Sequence, residues 1–272
     1  MMEEALRELA ALAGAQSPEA VRAASNLARL DLSIGELDLA EELARRAGDP
    51  KTLAAVYISQ RRFPEALKLL HELLSSADAA SAVTLYGNLS AASLGMGQMD
   101  EAEAYARQGL ELARCTLPEG HPARAAVLNN LAQACRFTGR YMEAERDYRE
   151  AIDIWEKSRG PSDPDYARGL MNLAAFYHDR GREAGAEQLY LRAAAVLEKN
   201  DPVLALVARN ELSDVLRAEL RYTESRKLSG ATLRQMEAIL PADDPRLARA
   251  RANQDRLAAE MQRIAAVRSK RR

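Results

Sequence analysis

Residues 127–148 read Val-Leu-Asn-Asn-Leu-Ala-Gln-Ala-Cys-Arg-Phe-Thr-Gly-Arg-Tyr-Met-Glu-Ala-Glu-Arg-Asp-Tyr, which spells two amphipathic helices with a stop between them. Val127, Leu128, Leu131, Ala134 and Cys135 recur at intervals of three and four, the apolar stripe of a helix. Gly139 ends that stripe, because a glycine just past the last turn adopts the left-handed conformation that closes the open carbonyls. A second helix is predicted from near Met142, with Ala144, Tyr148, Ala151, Ile152 and Trp155 on one side. Gly160-Pro161 ends it, and Ser162-Asp163-Pro164 caps the next helix, proline being tolerated in a first turn whose N–H groups lack partners.

The same pattern returns at an offset of 42 residues. Leu89, Leu131 and Leu173 coincide, as do Asn88, Asn130 and Asn172, Gly97, Gly139 and Gly181, and Ala102, Ala144 and Ala186. A fourth copy at a slightly shorter offset places Leu212 on Leu173, but Leu220 replaces the turn glycine and Ser225 the packing alanine. Upstream, Tyr57, Phe63 and Ala66 fit a shorter unit, and Leu27, Gly35 and Ala40 fit another. Pro-led helix starts recur at Gly120-His121-Pro122, Asn200-Asp201-Pro202 and Asp243-Asp244-Pro245. The expected organisation is divergent helical repeats over 1–78, four long repeats over 79–240, and a capping helix with a basic tail over 241–272.

Leu128-x2-Leu131-Ala132-x2-Cys135 with Gly139 and Ala144-x3-Tyr148, and Leu170-x2-Leu173-Ala174-x2-Tyr177 with Gly181 and Ala186-x3-Tyr190, resemble the tetratricopeptide repeat. The 42-residue spacing, the Leu-Asn-Asn-Leu-Ala stretch and Tyr141-x-Glu143-Ala144-Glu145 are similar to the long repeats of kinesin light chains and their bacterial relatives. The resemblance implies an all-α, right-handed α-solenoid of about thirteen helices, which works as a non-enzymatic scaffold holding a peptide or partner helix in a concave groove. A regulatory or sensory module acting through a separate effector chain is the alternative. The first helix of each unit lines that groove in the family, so the groove residues implied here are Asn88, Asn129, Asn130, Gln133, Arg136, Arg168, Asn172, His178 and Asn210. Met171, Asp214 and Arg217 stand nearby, with Asn26 an earlier member of the row. The asparagine row has two readings: its amides, which both donate and accept, pair with a ligand backbone, or they tie one helix to the next. Asn129 and Met171 stand where a carboxylate clamp of the chaperone-binding kind would need lysine.

Composition narrows the function classes. Lys+Arg number 38 against Asp+Glu 40, for a net charge of −2 in 272 residues, which does not suit a generic polyanion binder. The charge is uneven: from Pro245 onward nine basic residues face two acids, read as a polar cap because no aromatic is interleaved to stack bases. No specific nucleic-acid or membrane partner is expected. The uncharged run from Ala79 to Met99 is broken by Ser81, Thr84, Gly87, Asn88, Ser90, Ser93, Gly95, Gly97 and Gln98, so it reads as a buried helix and turn. Two cysteines, Cys115 and Cys135, exclude a disulfide scaffold and read as small packing residues in a reducing, cytoplasmic setting; the acidic start at Glu3 and Glu4 does not suit a secretory signal. His71, His121 and His178 sit far apart and read as surface or capping residues. No phosphate loop, metal cluster or nucleophile-base arrangement appears, so no cofactor or metal and no catalysis are expected. A monomer is the expected state, with self-association left open.

Overall fold

The computed structural model describes residues 18–34 and 36–270. Gly35 and Arg271-Arg272 lie outside the described residues, as does the acidic start of the chain. Thirteen helices and no strand occur among the described residues. They run α1 (Pro18–Ile34), α2 (Leu37–Ala47), α3 (Pro50–Ser59), α4 (Phe63–Leu74), α5 (Ala79–Gly95), α6 (Met99–Thr116), α7 (Pro122–Phe137), α8 (Tyr141–Arg159), α9 (Pro164–Asp179), α10 (Glu183–Asn200), α11 (Pro202–Ala218), α12 (Tyr222–Ile239) and α13 (Pro245–Lys270). The fold is an all-α solenoid of helix-turn-helix repeats. Odd-numbered helices are the first of each pair. Among the described residues none is long and apolar enough to cross a membrane.

Local chemistry sets the boundaries. Asp49, Asp78, Asp163 and Asp201 accept backbone N–H groups at the starts of α3, α5, α9 and α11, and His121 Nδ1 does the same for α7, each relieving an orphan donor of the first turn. The turns inside the pairs pass through the left-handed region at Arg61, Gly97, Gly139, Gly181 and Leu220. Leu220 thus holds the glycine position with φ 62°, a conformation that costs an L side chain roughly 1–2 kcal/mol.

By its own contacts the chain divides into two compact units, Met1–Asp147 and Tyr148–Arg272. Within the first, α1, α3, α5 and α7 lie side by side, each touching the next, and α2, α4 and α6 pair with them. Ala40, Ala66, Ala102 and Ala144 are fully buried; residues this small let the helix axes approach. Gly95 serves the same end, because a Cβ there would stand 2.2 Å from the Phe63 ring. In the second unit Ala186 is fully buried, and Ser225, at the alanine position of the last pair, donates its hydroxyl to the Ser213 carbonyl at 2.6 Å. The α13 cap buries Leu247, Ala250 and Leu257 and exposes most of the rest.

A recurring ion pair locks successive repeats. The arginine after the left-handed residue reaches back to the glutamate that follows the buried alanine one pair earlier: Arg62 to Glu41 at 3.0 Å, Arg140 to Glu103, and Arg221 to Glu187 at 2.7 Å. Cys135 is buried as expected, and burial pushes its thiol up to about 11, so at neutral pH it is a small apolar packing group. Cys115 corrects the expectation of packing: it is exposed near the end of α6.

Candidate functional site

The face to consider is the outward side of the odd-numbered helices, where the buried stripe gives way to half-exposed positions. On α5 this side carries Thr84 and Asn88, and on α7 Asn130 and Gln133. Lys51, Ala80, Ser81, Thr84, Leu85 and Asn88 line a crevice of about 290 Å³ across which the Lys51 ammonium donates to Ser81 Oγ at 3.0 Å. Asn88 and Gln133 are half-buried, and neither amide has a hydrogen-bond partner among the described residues.

Asn130 differs from Asn88. Its Nδ2 donates to the Gly87 carbonyl at 2.8 Å, tying α7 to α5, while its Oδ1 has no donor among the described residues. Arg136 ends this side of α7 with its guanidinium 5.4 Å from the centre of the Phe137 ring, and Phe137 is itself 58% exposed.

Two of the expected groove residues lie inside instead. Asn129 is 8% exposed and Asn210 3% exposed, with Asn210 Nδ2 donating to Glu211 Oε1 at 3.4 Å. The physical reason is rotation: one residue along an α-helix turns the side chain by about 100°, so the neighbours of a groove position point into the core. At the register of Asn130 and Asn172 the last pair presents Glu211, one place beyond the asparagine that residue type alone suggests. The signal was available in the alignment of Leu212 with Leu173.

In the second unit this face is built from ion pairs. Asn172 is half-buried, and Arg168 is exposed and pairs with Asp165 at 3.3 Å and Asp201 at 3.8 Å. His178, expected at the surface, instead bridges three helices: Nδ1 lies 2.5 Å from Glu183 Oε2 on α10 and Nε2 3.4 Å from Asp214 Oδ2 on α11. Hydrogen bonding to Asp214, then to Glu183, raises its pKa to about 9, so it is the imidazolium at neutral pH. Asp214, despite the opposing effect of burial, is held well below the usual carboxylate range by hydrogen bonds from His178 and Arg217. Arg217 donates to Asp214 at 2.7 Å and to Glu260 of α13 at 2.8 Å, and Arg249 of α13 holds Glu211 at 2.7 Å. Burial pushes Glu211 above its usual range. Glu211 was missed in sequence because its partner Arg249 lies 38 residues away on another helix, whereas Asp214 and Arg217, three residues apart on α11, stand near the groove already in the sequence. Among the described residues no group of three or more His, Cys, Asp and Glu could hold a metal ion.

Residues 78–157 and 123–199 match the tetratricopeptide repeat family model. Residues 78–199 are tetratricopeptide repeats. The repeats share their fold with TPR-like repeats described as those of a kinesin light chain from Podosopora anserina, at 22% identity and a TM-score of 0.56 over 67% of this chain and 89% of that one. A Rap protein complexed with Competence and Sporulation Factor aligns over 97% of this chain and 80% of its own at 14% identity and a TM-score of 0.64. NprR in complex with its cognate peptide NprX aligns over 93% and 77% at 10% identity and a TM-score of 0.60. At these identities the likeness speaks to the TPR fold alone. No curated protein matches the chain in sequence.

Proposed function

We propose that this protein is a protein-interaction scaffold whose odd-helix face binds a peptide segment, and that the first unit supplies the binding residues. The observation that carries the reading is the pair of partnerless amides, Asn88 and Gln133, held half-buried on a face where α3, α5 and α7 lie side by side. A half-buried amide that makes no bond within its own chain is already partly desolvated, so a ligand backbone that pairs with it gains a hydrogen bond at reduced cost. Asn130 contributes through the Oδ1 that its tie to Gly87 leaves open. NprR, whose fold this chain shares, is seen with its cognate peptide, which supports a peptide as the class of partner. The second unit's face is occupied by its own ion pairs and serves as support.

The test is affinity capture with the full chain, followed by cross-linking and mass spectrometry of what is bound. Cross-links from a partner segment to Lys51, and loss of capture in Asn88→Ala/Gln133→Ala with an unchanged melting temperature, are the expected results. Capture that survives this pair of changes, or cross-links confined to α12 and α13, would reject the assignment.

A further inference from the structure

The second unit carries a recess where the end of α10, the start of α11 and the end of α12 meet. Its volume is about 300 Å³, and Glu198, Ala205, Leu206, Arg209, Ala238 and Ile239 are among the residues that line it. Five of the eight lining residues are apolar and none is aromatic, so the walls suit an aliphatic chain rather than a stacked ring. Ala205 and Leu206, both buried, form the floor, whereas Ile239 stands 53% exposed at the rim. The polar element is one ion pair: Arg209 Nη2 meets Glu198 Oε1 at 2.7 Å, with the arginine side chain 26% exposed and the glutamate 61%. The two members are not equivalent. The guanidinium is the fixed and largely desolvated one, while the carboxylate can return to water at little cost, because a pair with so exposed a member is weakly held.

We infer that this recess binds a medium-chain fatty acid, with the carboxylate on Arg209 and the alkyl chain over Leu206, Ala238 and Ile239. The inference is independent of the proposed peptide-binding reading, whose residues lie in the first unit. The asymmetry of the ion pair selects the sign of the ligand. An incoming anion displaces the exposed Glu198, whereas an incoming cation would have to displace the half-buried Arg209. The guanidinium fork can hold both oxygens of a ligand carboxylate in a charge-assisted, two-pronged bond. The volume selects the length: at about 30 Å³ for each water-sized group, the recess holds roughly ten heavy atoms, those of an eight-carbon acid. Leu206 gives binding a consequence for the fold. It also belongs, with Met236, Leu247 and Ala250, to the cluster that seats α13. A bound chain therefore extends the apolar contact of a side chain that holds the terminal helix, and stabilises the second unit.

The experiment titrates the full chain with octanoate, octan-1-ol, octylammonium and N-acetyl-Ala-Leu by isothermal calorimetry, each at concentrations too low for self-assembly. Octanoate is expected to bind about tenfold more tightly than octanol, with octylammonium weaker still. Arg209→Gln should bring octanoate down to the level of octanol and leave octanol unchanged. Glu198→Gln, which removes the competing carboxylate, should tighten octanoate several-fold. Ala238→Trp, at an exposed position, fills the recess and should remove binding of both. Circular dichroism melts establish that each variant is folded. Octanoate should also raise the transition followed by Trp155 fluorescence in the parent, and do so less in Arg209→Gln, whereas Asn88→Ala/Gln133→Ala leaves its binding unchanged. Equal affinity for octanoate and octanol would overturn the inference, as would octanoate binding that survives Ala238→Trp, or its absence in the parent. Tighter binding of N-acetyl-Ala-Leu than of octanoate would assign the recess to the C-terminus of a partner chain and overturn the fatty acid as its ligand.

Discussion

At the scale of single residues the asparagine row resolves into different roles under one residue type. Asn130 is a tie through the Gly87 carbonyl, Asn88 has an unengaged amide, and Asn129 and Asn210 are interior. Asn130→Ala is therefore expected to lower stability by about 1 kcal/mol, the usual net worth of one hydrogen bond. Asn88→Ala should change it by no more than about 0.5 kcal/mol, as for other sites without a structural partner. Urea titrations of the two single variants check this, and equal losses would mean that Asn88 also carries a structural bond. Leu220 belongs to the same scale. It is 69% exposed and sits at φ 62°, so Leu220→Gly removes strain without removing packing. The strain relieved, roughly 1–2 kcal/mol, is partly offset by the extra freedom glycine gives the unfolded chain. A modest rise in melting temperature is the expected outcome, and a fall would show that the leucine side chain has a packing role.

Among the elements, α9, α10 and α11 are joined through one imidazolium. His178 has Glu183 on one nitrogen and Asp214 on the other, with Arg217 and Glu211 in the same group and Arg249 of α13 behind Glu211. Its pKa is raised from 6.5 to about 9, so the folded state holds the proton more firmly than the unfolded chain does. The resulting stability is complete below about 6.5, declines as pH rises above that value, and is gone above about 9. Thermal melts between those limits should show a loss in the parent that is absent in His178→Gln. A parallel loss in both would assign the pH dependence to another group. The repeated arginine-to-glutamate lock also belongs to this scale. Its members, Arg62, Arg140 and Arg221 with Glu41, Glu103 and Glu187, stand in plain view at Ala-Glu and at the residue after each turn. Periodicity shows that the positions recur, but only the stacking of one pair on the next shows that they meet.

For the whole molecule, the described helices within each unit touch near neighbours along the chain, so damage is expected to stay local. Trp155 is the single tryptophan and is 4% exposed in the second unit, where its fluorescence reports that unit's unfolding. Leu247→Ala, which opens the contact of α13 with Leu206 and Met236, should cost roughly 2–5 kcal/mol and move the Trp155 transition to lower urea. Leu70→Ala in α4, buried against Ala54, Leu85 and Leu89, should reduce the helical signal of the first unit and shift the Trp155 transition less. Identical shifts would mean that the chain unfolds as one cooperative body. The repeat, its turns and its caps were legible in sequence alone, because helix periodicity, a left-handed residue after the last turn and Asp-Pro starts are local instructions that act within a few residues. The 42-residue offset gave the three pairs from α5 to α10, and a slightly shorter offset the pair α11–α12, for the same reason. The candidate site was legible only in part. Whether Asn88 or Asn129 faces outward depends on helix rotation, and the direction of that rotation is set by which neighbours bury the other side. The partners of His178 and Glu211, and the imidazolium on Asp214, come from other helices at no regular spacing, so these charge states follow from tertiary packing. Glu198, Arg209 and Ile239 are likewise written at three separate places in the sequence, yet they line one recess only when α10, α11 and α12 are packed together.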